Sequence, residues 1–307
     1  MASLEMKMLR DRMREMMKQG GMPQFGADIN PVAMRAVIEE AQKRMPVMPG
    51  VTALPDTLGG VEAEKVVAEN PRTDGVIFYI HGGGLICGNA LTSRGYASLL
   101  ASSTKLPVYT VSYRLAPEHQ YPAAVDDCFE AYREIVGRHG DIPIILIGES
   151  GGGYLCLTTA LRAMADGVQL PAAIIPYSPV TVAGDAIDRS ANDGKDFTVT
   201  IEGLAQLMSM YCPNEDVDNP MISPLFADYK GFPPIFIVWD SDETLAPDSA
   251  LLVEKALAAG VEVEYKAYDD CFHAFATAGI GTPESAEVLE NTKVFIERHL
   301  RKGGKLT

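Results

Sequence analysis

No apolar run in the 307-residue sequence approaches the ~20 residues that a membrane span requires, so no membrane span is expected. The opening stretch, Met1-Ala2-Ser3-Leu4-Glu5, lacks the basic segment and apolar core of a secretory signal. The five cysteines, Cys87, Cys128, Cys156, Cys212 and Cys271, are an odd, scattered set without a Cys-x-x-Cys pair. That spacing argues against a disulfide framework and suggests no metal site. The cysteines read instead as small buried apolar residues in a reduced, cytoplasmic compartment. Positive charge is scarce as well: 26 Lys and Arg stand against 41 Asp and Glu, giving a net charge of -15 and a pI near 4.8. A chain this acidic repels phosphate backbones, so nucleic acid is not an expected partner. Internal repeats and low-complexity linkers are absent too.

Hydrophobic residues make up 47% of the chain and charged residues 22%, enough apolar material for a full core. The length suits one large α/β domain or two modest ones. Near the start, Leu9, Met13, Met16 and Met17 fall on one face of a helix. After Gly20-Gly21, Asn30-Pro31 supplies a cap and a first helical position. A second stripe of Met34, Val37, Ile38, Ala41 and Met45 then runs to a stop at Pro46. Such stripes pack against a body, and Met-lined surfaces also suit varied apolar ligands.

From Val61 onward, strands alternate with helices. Strand-like runs lie at Val61–Ala68, Val76–Ile80, Val108–Tyr113, Ile142–Ile147, Ala172–Tyr177, Pro234–Trp239 and Val261–Tyr268. Helical stretches are expected at Ser93–Ser103, Ala123–Val136, Gly153–Ala165, Asp248–Ala259 and Glu284–Leu300. This alternation predicts a mainly parallel sheet covered on both faces, with its ligand crevice at the carboxyl ends of the strands. The segment from Thr181 to Pro220 breaks the pattern with polar loops and one helix, Ile201–Tyr211. It is expected to lie over the crevice and to form a cap with the N-terminal helices.

Gly148-Glu149-Ser150-Gly151-Gly152 joins the run Ile142–Ile147 to the following helix. Strand, Gly-x-Ser-x-Gly turn and helix together make the context of a nucleophile elbow, although a glycine-rich turn there could also cradle a phosphate. A serine hydroxyl needs a base to take its proton and an acid to orient that base. In chain order the acid and then the histidine should follow the serine. His273, in the loop after Val261–Tyr268, is the candidate base, whereas His299 reads as solvated or as interacting with the helix C-terminus. The acid should follow Pro234–Trp239, where Asp240, Asp242, Glu243 and Asp248 are all available. Upstream, His81-Gly82-Gly83-Gly84 follows Val76–Ile80 and matches the glycine loop whose N–H groups receive a developing oxyanion. Two such motifs in this order point to a hydrolase.

The chain resembles the hormone-sensitive-lipase-like α/β-hydrolases, the bacterial family IV esterases, from about Val76 onward. The resemblance rests on His81-Gly82-Gly83-Gly84 with Gly88, and on Tyr113-Arg114-Leu115-Ala116-Pro117-Glu118-His119. It rests further on Tyr121-Pro122-Ala123-Ala124, the Ser150 elbow and Phe272-His273-Ala274-Phe275. It implies an α/β-hydrolase fold with a mainly parallel central sheet, helices on both faces and a helical cap. Residues 1–50 would give the N-terminal part of the cap. Residues 51–307 would form the catalytic domain, with a cap insertion at about 183–215. The implied activity is cofactor-free hydrolysis of short- to medium-chain carboxylic esters, so the expected partner is a small-molecule ester, with a homodimer possible.

By the same resemblance Ser150 is the nucleophile, His273 the base, and Gly83, Gly84 and Gly151 the oxyanion hole. Where the family commonly has Asp-Pro-Leu-x-Asp, this chain has Asp242-Glu243-Thr244-Leu245-Ala246-Pro247-Asp248. Aligning Leu245 and Asp248 places Glu243 at the acid, with Asp242 as the alternative. Glu149 and Gly151 stand where the family usually has aspartate and alanine. Within the Tyr113–Tyr121 stretch, read as scaffold, Glu118 and His119 could pair with each other near the sheet edge. The motifs also admit an amidase or lactonase using the same triad. A non-catalytic receptor on this fold is the further alternative, but plant receptors of that kind have lost the histidine.

Overall fold

The computed structural model describes residues 1–20, 24–26, 28–43 and 47–303. Gly21, Met45 and Pro46 lie outside the described residues. The elements run α1 (Leu4–Lys18), α2 (Pro31–Gln42), β1 (Val51–Leu58), β2 (Val61–Ala68), β3 (Val76–Ile80), α3 (Ala90–Thr104) and β4 (Val108–Val111). They continue with α4 (Ala123–His139), β5 (Ile144–Glu149), α5 (Gly151–Asp166), β6 (Ala173–Tyr177) and α6 (Ile201–Tyr211). The chain closes with β7 (Ile235–Asp240), α7 (Ala246–Ala258), β8 (Val263–Tyr268) and α8 (Pro283–Gly303). The strands form one sheet in the order β1-β2-β4-β3-β5-β6-β7-β8. β1–β2 and β2–β4 are antiparallel, and every other pair is parallel. This is an α/β-hydrolase fold.

The central strands β3, β5, β6 and β7 are buried throughout apart from Glu149 at the end of β5, as strands covered on both faces must be. One face packs Ile77, Tyr79, Ile145 and Val238 against Leu100 of α3 and Phe295 of α8. The other packs Phe78, Leu146 and Ile237 against Phe129 of α4, Leu155 of α5 and Leu252 of α7.

One strand has no counterpart in the sequence reading. β1 pairs along its whole length with β2, from Val51 opposite Ala68 to Leu58 opposite Val61. Its run Val51-Thr-Ala-Leu-Pro-Asp-Thr-Leu58 carries a proline and buries little, a pattern that only an edge strand tolerates. Pairing with β2, rather than its own hydrophobicity, makes it a strand.

Two further expectations are corrected. His299 is 2% exposed, its Nδ1 lies 2.8 Å from the Phe295 carbonyl, and its ring packs on Phe295, so it is a core residue of α8. Glu118 pairs with Arg35 of α2 at 2.7 Å instead of with His119, which ties the N-terminal helices to the Tyr113–Tyr121 stretch.

The N-terminal segment is tied to the 181–220 region by backbone. Phe25 N–H donates to the Thr198 carbonyl at 2.9 Å, and Thr200 N–H donates to the Phe25 carbonyl at 3.0 Å. α1 is anchored elsewhere: Ser3 Oγ donates to Glu284, and Arg10 donates to the carbonyl of Asp270 in the loop after β8.

Candidate active site

Adjacent parallel strands deliver the two glycine motifs side by side. In the β3–β5 register Ile80 lies opposite Gly148, so the His81–Gly84 loop and Ser150 leave the sheet at neighbouring carboxyl ends. The chain order makes this the point where connections diverge, since β4 lies on one side of β3 and β5 on the other. Ser150 adopts φ 55° and ψ -120°, a left-handed strain that persists only where the surroundings enforce it. Its N–H donates to the Tyr177 carbonyl at 2.9 Å, and its carbonyl accepts from Tyr154 in the first turn of α5. Gly152 shows why the elbow tolerates no side chain there. A Cβ at this position would lie 2.0 Å from the Ile80 carbonyl oxygen. The helix begins at Gly151, two residues earlier than its periodicity predicts, so Ser150 sits directly on the helix N-terminus.

The glycine loop is clamped from two sides. Tyr113 Oη donates to the His81 carbonyl at 2.9 Å, and its ring stacks on the His81 imidazole at 4.2 Å. Glu149, the residue before the serine, accepts from Gly82 N–H at 2.7 Å and from Tyr79 Oη at 2.6 Å. Burial pushes the Glu149 carboxyl up to about 7 despite these donors. Gly83 has φ 103°, and a Cβ on it would come within 2.3 Å of the Cys87 carbonyl oxygen, so the loop's path demands glycine. Among the described residues, no internal acceptor takes the N–H groups of Gly83 and Gly84.

One carboxylate ends β7 and three follow it, and the tertiary structure gives each a different partner. Asp240, 3% exposed, accepts from Cys271 N–H at 3.0 Å and so fixes the start of the histidine loop. Asp242 turns outward, 3.3 Å from Lys195 Nζ. Asp248 is fully buried, accepts from Arg189 Nε at 2.8 Å and from the N–H groups of Thr181 and Val182, and anchors the root of the 181–220 segment. Glu243, 1% exposed, places Oε2 3.1 Å from His273 Nδ1. The other imidazole nitrogen, Nε2, is buried and without a hydrogen bond among the described residues. Burial alone would lower the His273 pKa, but the Glu243 hydrogen bond and charge, with Asp196 and Glu149 nearby, raise it above the ordinary imidazole value. Burial raises the Glu243 carboxyl in turn, and its bond to His273 opposes that rise.

The surrounding supports were not legible as motifs. Ser178 Oγ donates to Glu243 Oε2 at 2.8 Å and accepts from Ala274 N–H at 3.2 Å, linking acid and histidine loop. Asn192 Nδ2 donates to the carbonyls of Ser241 and Glu243, both at 2.9 Å, while Asp196 accepts from Thr244 N–H at 3.0 Å. The only signal available for Ser178 was its place just after a strand that neighbours the elbow strand.

A family profile described as alpha/beta hydrolase fold matches residues 77–277. An esterase of Acinetobacter venetianus is 33% identical over 274 residues, covering 87% of this chain and 89% of the relative. The chain belongs to the hormone-sensitive-lipase-like esterases of the α/β-hydrolase fold. An acetyl-hydrolase of Streptomyces hygroscopicus is 30% identical over 272 residues, covering 87% and 89%. A solved structure of a hormone-sensitive lipase from a metagenome library is 32% identical, with a TM-score of 0.87 over 95% of this chain and 98% of that one. EstE5, solved after soaking with p-nitrophenyl butyrate, is 28% identical, with a TM-score of 0.88 over 98% of this chain and 100% of that one. The protein is therefore a carboxylic ester hydrolase. Among the described residues no helix is long and apolar enough to cross a membrane, and no cluster of His, Cys, Asp and Glu could hold a metal.

Proposed function

We propose that this esterase works through a Ser150–His273–Glu243 triad and an acyl-enzyme. Ser150 Oγ attacks the ester carbonyl while His273 Nε2 takes its proton. The N–H groups of Gly83, Gly84 and Gly151 receive the developing oxyanion, each worth roughly 3–4 kcal/mol. The protonated imidazole passes its proton to the departing alkoxide, leaving the acyl group on Ser150. Water, deprotonated by the same nitrogen, then releases the acid and regenerates the serine. Glu243 holds Nδ1 protonated and so aims Nε2. The observation that carries this reading is the buried Glu243–His273 bond of 3.1 Å, with Nε2 left free of any other hydrogen bond among the described residues.

The test is direct. Ser150→Ala should abolish hydrolysis of p-nitrophenyl acetate and butyrate while leaving the circular dichroism spectrum intact, and a fluorophosphonate should label the wild type only. Retained turnover in that variant sinks the assignment.

Residues 1–50 and the segment at about 183–215 belong to the proposal as a two-part cap over a catalytic domain spanning 51–307. The backbone pairing of Phe25 with Thr198 and Thr200 supports it. The acyl range we propose is the short one, in keeping with the acetyl-hydrolase among the relatives. A cytoplasmic location fits five free, buried cysteines. A homodimer through β8 fits its place at the sheet edge, where Tyr265 is 56% exposed; sedimentation velocity would report a monomer if this is wrong.

A further inference from the structure

The loop that carries His273 is built on backbone conformations that side chains disfavour. Asp270 has φ 59° and Ala274 has φ 58°, so left-handed residues stand on both sides of the histidine. Glycine adopts this region freely, whereas a residue with a Cβ keeps it only where its surroundings enforce it. Three grips supply that enforcement. Ser178 Oγ, just after β6, accepts from Ala274 N–H at 3.2 Å, and Asp240, at the end of β7, accepts from Cys271 N–H at 3.0 Å. The third grip comes from the other end of the chain. Arg10 of α1 donates to the Asp270 carbonyl, and its Nη1 lies 3.6 Å from the Asp270 carboxylate.

One face of α1 lies against this loop. Fully buried Met6 belongs to the same apolar cluster as Cys271, Phe272 and Phe275, and Leu9 and Met13 pack against that cluster. One turn beyond Arg10, the Arg14 guanidinium stands 4.8 Å over the Phe197 ring, and the Phe197 ring lies 6.3 Å from that of Phe272, the neighbour of His273. The Arg10 side chain is itself largely buried, and its charge opposes the rise that burial gives the Asp240 carboxyl. The same side chain thus acts on two fixed points of the loop. A charge-assisted bond to a backbone carbonyl fixes the orientation of that peptide plane, which an ion pair with the Asp270 side chain alone would leave free.

We infer that Arg10 is a positioning residue for the catalytic base: it holds the Asp270 peptide in its left-handed turn and so keeps the His273 imidazole in the pose that Glu243 sets. The inference rests on the reading of His273 as base and adds to it a role for the N-terminal helix. α1 is then a brace for the histidine loop, reaching it across 260 residues of sequence.

Arg10→Met keeps an apolar stem and removes the donor. It should lower kcat for p-nitrophenyl acetate about tenfold with KM within about twofold, since a catalytic group misplaced by ~1 Å costs about 100-fold and a loosened one less. Fluorophosphonate labelling of Ser150 should slow by the same factor, because it needs the same base. Arg10→Lys, which keeps a charged donor, should recover most of both rates. In an Asp270→Gly background the left-handed turn needs no outside grip, so there Arg10→Met should cost no more than about twofold. Arg10→Gln, too short to reach the carbonyl, gives the same comparison if Arg10→Met does not fold. A lower Tm with kcat and labelling rate unchanged well below that Tm makes Arg10 an anchor of α1 alone and overturns the inference, as does an equal loss in both backgrounds. Full turnover and labelling in His273→Ala would instead overturn the reading of His273 as base, and this inference with it.

Discussion

Glu243 and Asp242 are consecutive in the chain and face opposite environments. Glu243 is 1% exposed and bonds His273 Nδ1 at 3.1 Å, whereas Asp242 reaches outward to Lys195. Sequence spacing admits either as the acid; the turn after β7 gives the two residues different neighbours. Replacing Glu243 by Ala should lower kcat by roughly 10⁴-fold, the size of loss seen when a triad acid is removed. Asp242→Asn should stay within about twofold, because an exposed ion pair contributes little. Steady-state kinetics on p-nitrophenyl acetate separate the two, and the opposite ranking would move the acid to Asp242.

The pH profile should follow the imidazole. The base must be neutral to act, so kcat/KM should rise with pH through the His273 pKa, which Glu243 and its neighbours hold above the usual value. Glu243→Gln removes a negative charge beside the ring and makes the imidazolium less stable. The acidic limb of the residual activity should therefore move to lower pH. A limb that stays in place would assign it to another group.

Ser178 should act through Glu243. Its hydroxyl spans the acid and the Ala274 N–H, so Ser178→Ala leaves buried Glu243 Oε2 one donor short and the half-buried Ala274 N–H without this acceptor. A loss of about 1–3 kcal/mol is expected, read as a fall in kcat of about tenfold or more with KM little changed. A change confined to KM would make Ser178 a binding residue.

Glu149 should make stability depend on pH. Burial raises its folded pKa to about 7, above the ordinary carboxyl value of 4.5, so the folded state holds this proton more tightly than the unfolded chain. Its contribution to stability is therefore present below the ordinary value and falls as pH rises toward and past 7. Glu149→Gln should flatten part of the decline in Tm between about pH 5 and pH 8. Asp240, also raised to about 7 by burial, keeps its own share of the slope. An unchanged slope would mean that Glu149 is ionised throughout that range.

The local rules were sufficient for much of this protein. Continuous apolar runs of five or six residues between helical stripes specify a sheet buried on both faces, because only a parallel, doubly covered sheet buries such strands. Glycines around Ser150 and after His81 declare close backbone approaches, as the 2.0 Å clash at Gly152 makes plain. What sequence could not carry was any choice that depends on partners distant in the chain. β1 is a strand only because β2 pairs with it, and Ser178 matters only because β6 sets it beside a loop 65 residues later. The four carboxylates from Asp240 to Asp248 look alike in one dimension. In three dimensions Cys271, His273 and Arg189 each claim a different buried carboxylate, since burial requires a partner, while Asp242 faces solvent and Lys195. Tertiary packing alone likewise brings Leu207 of α6 against Gly84, more than 100 residues before it.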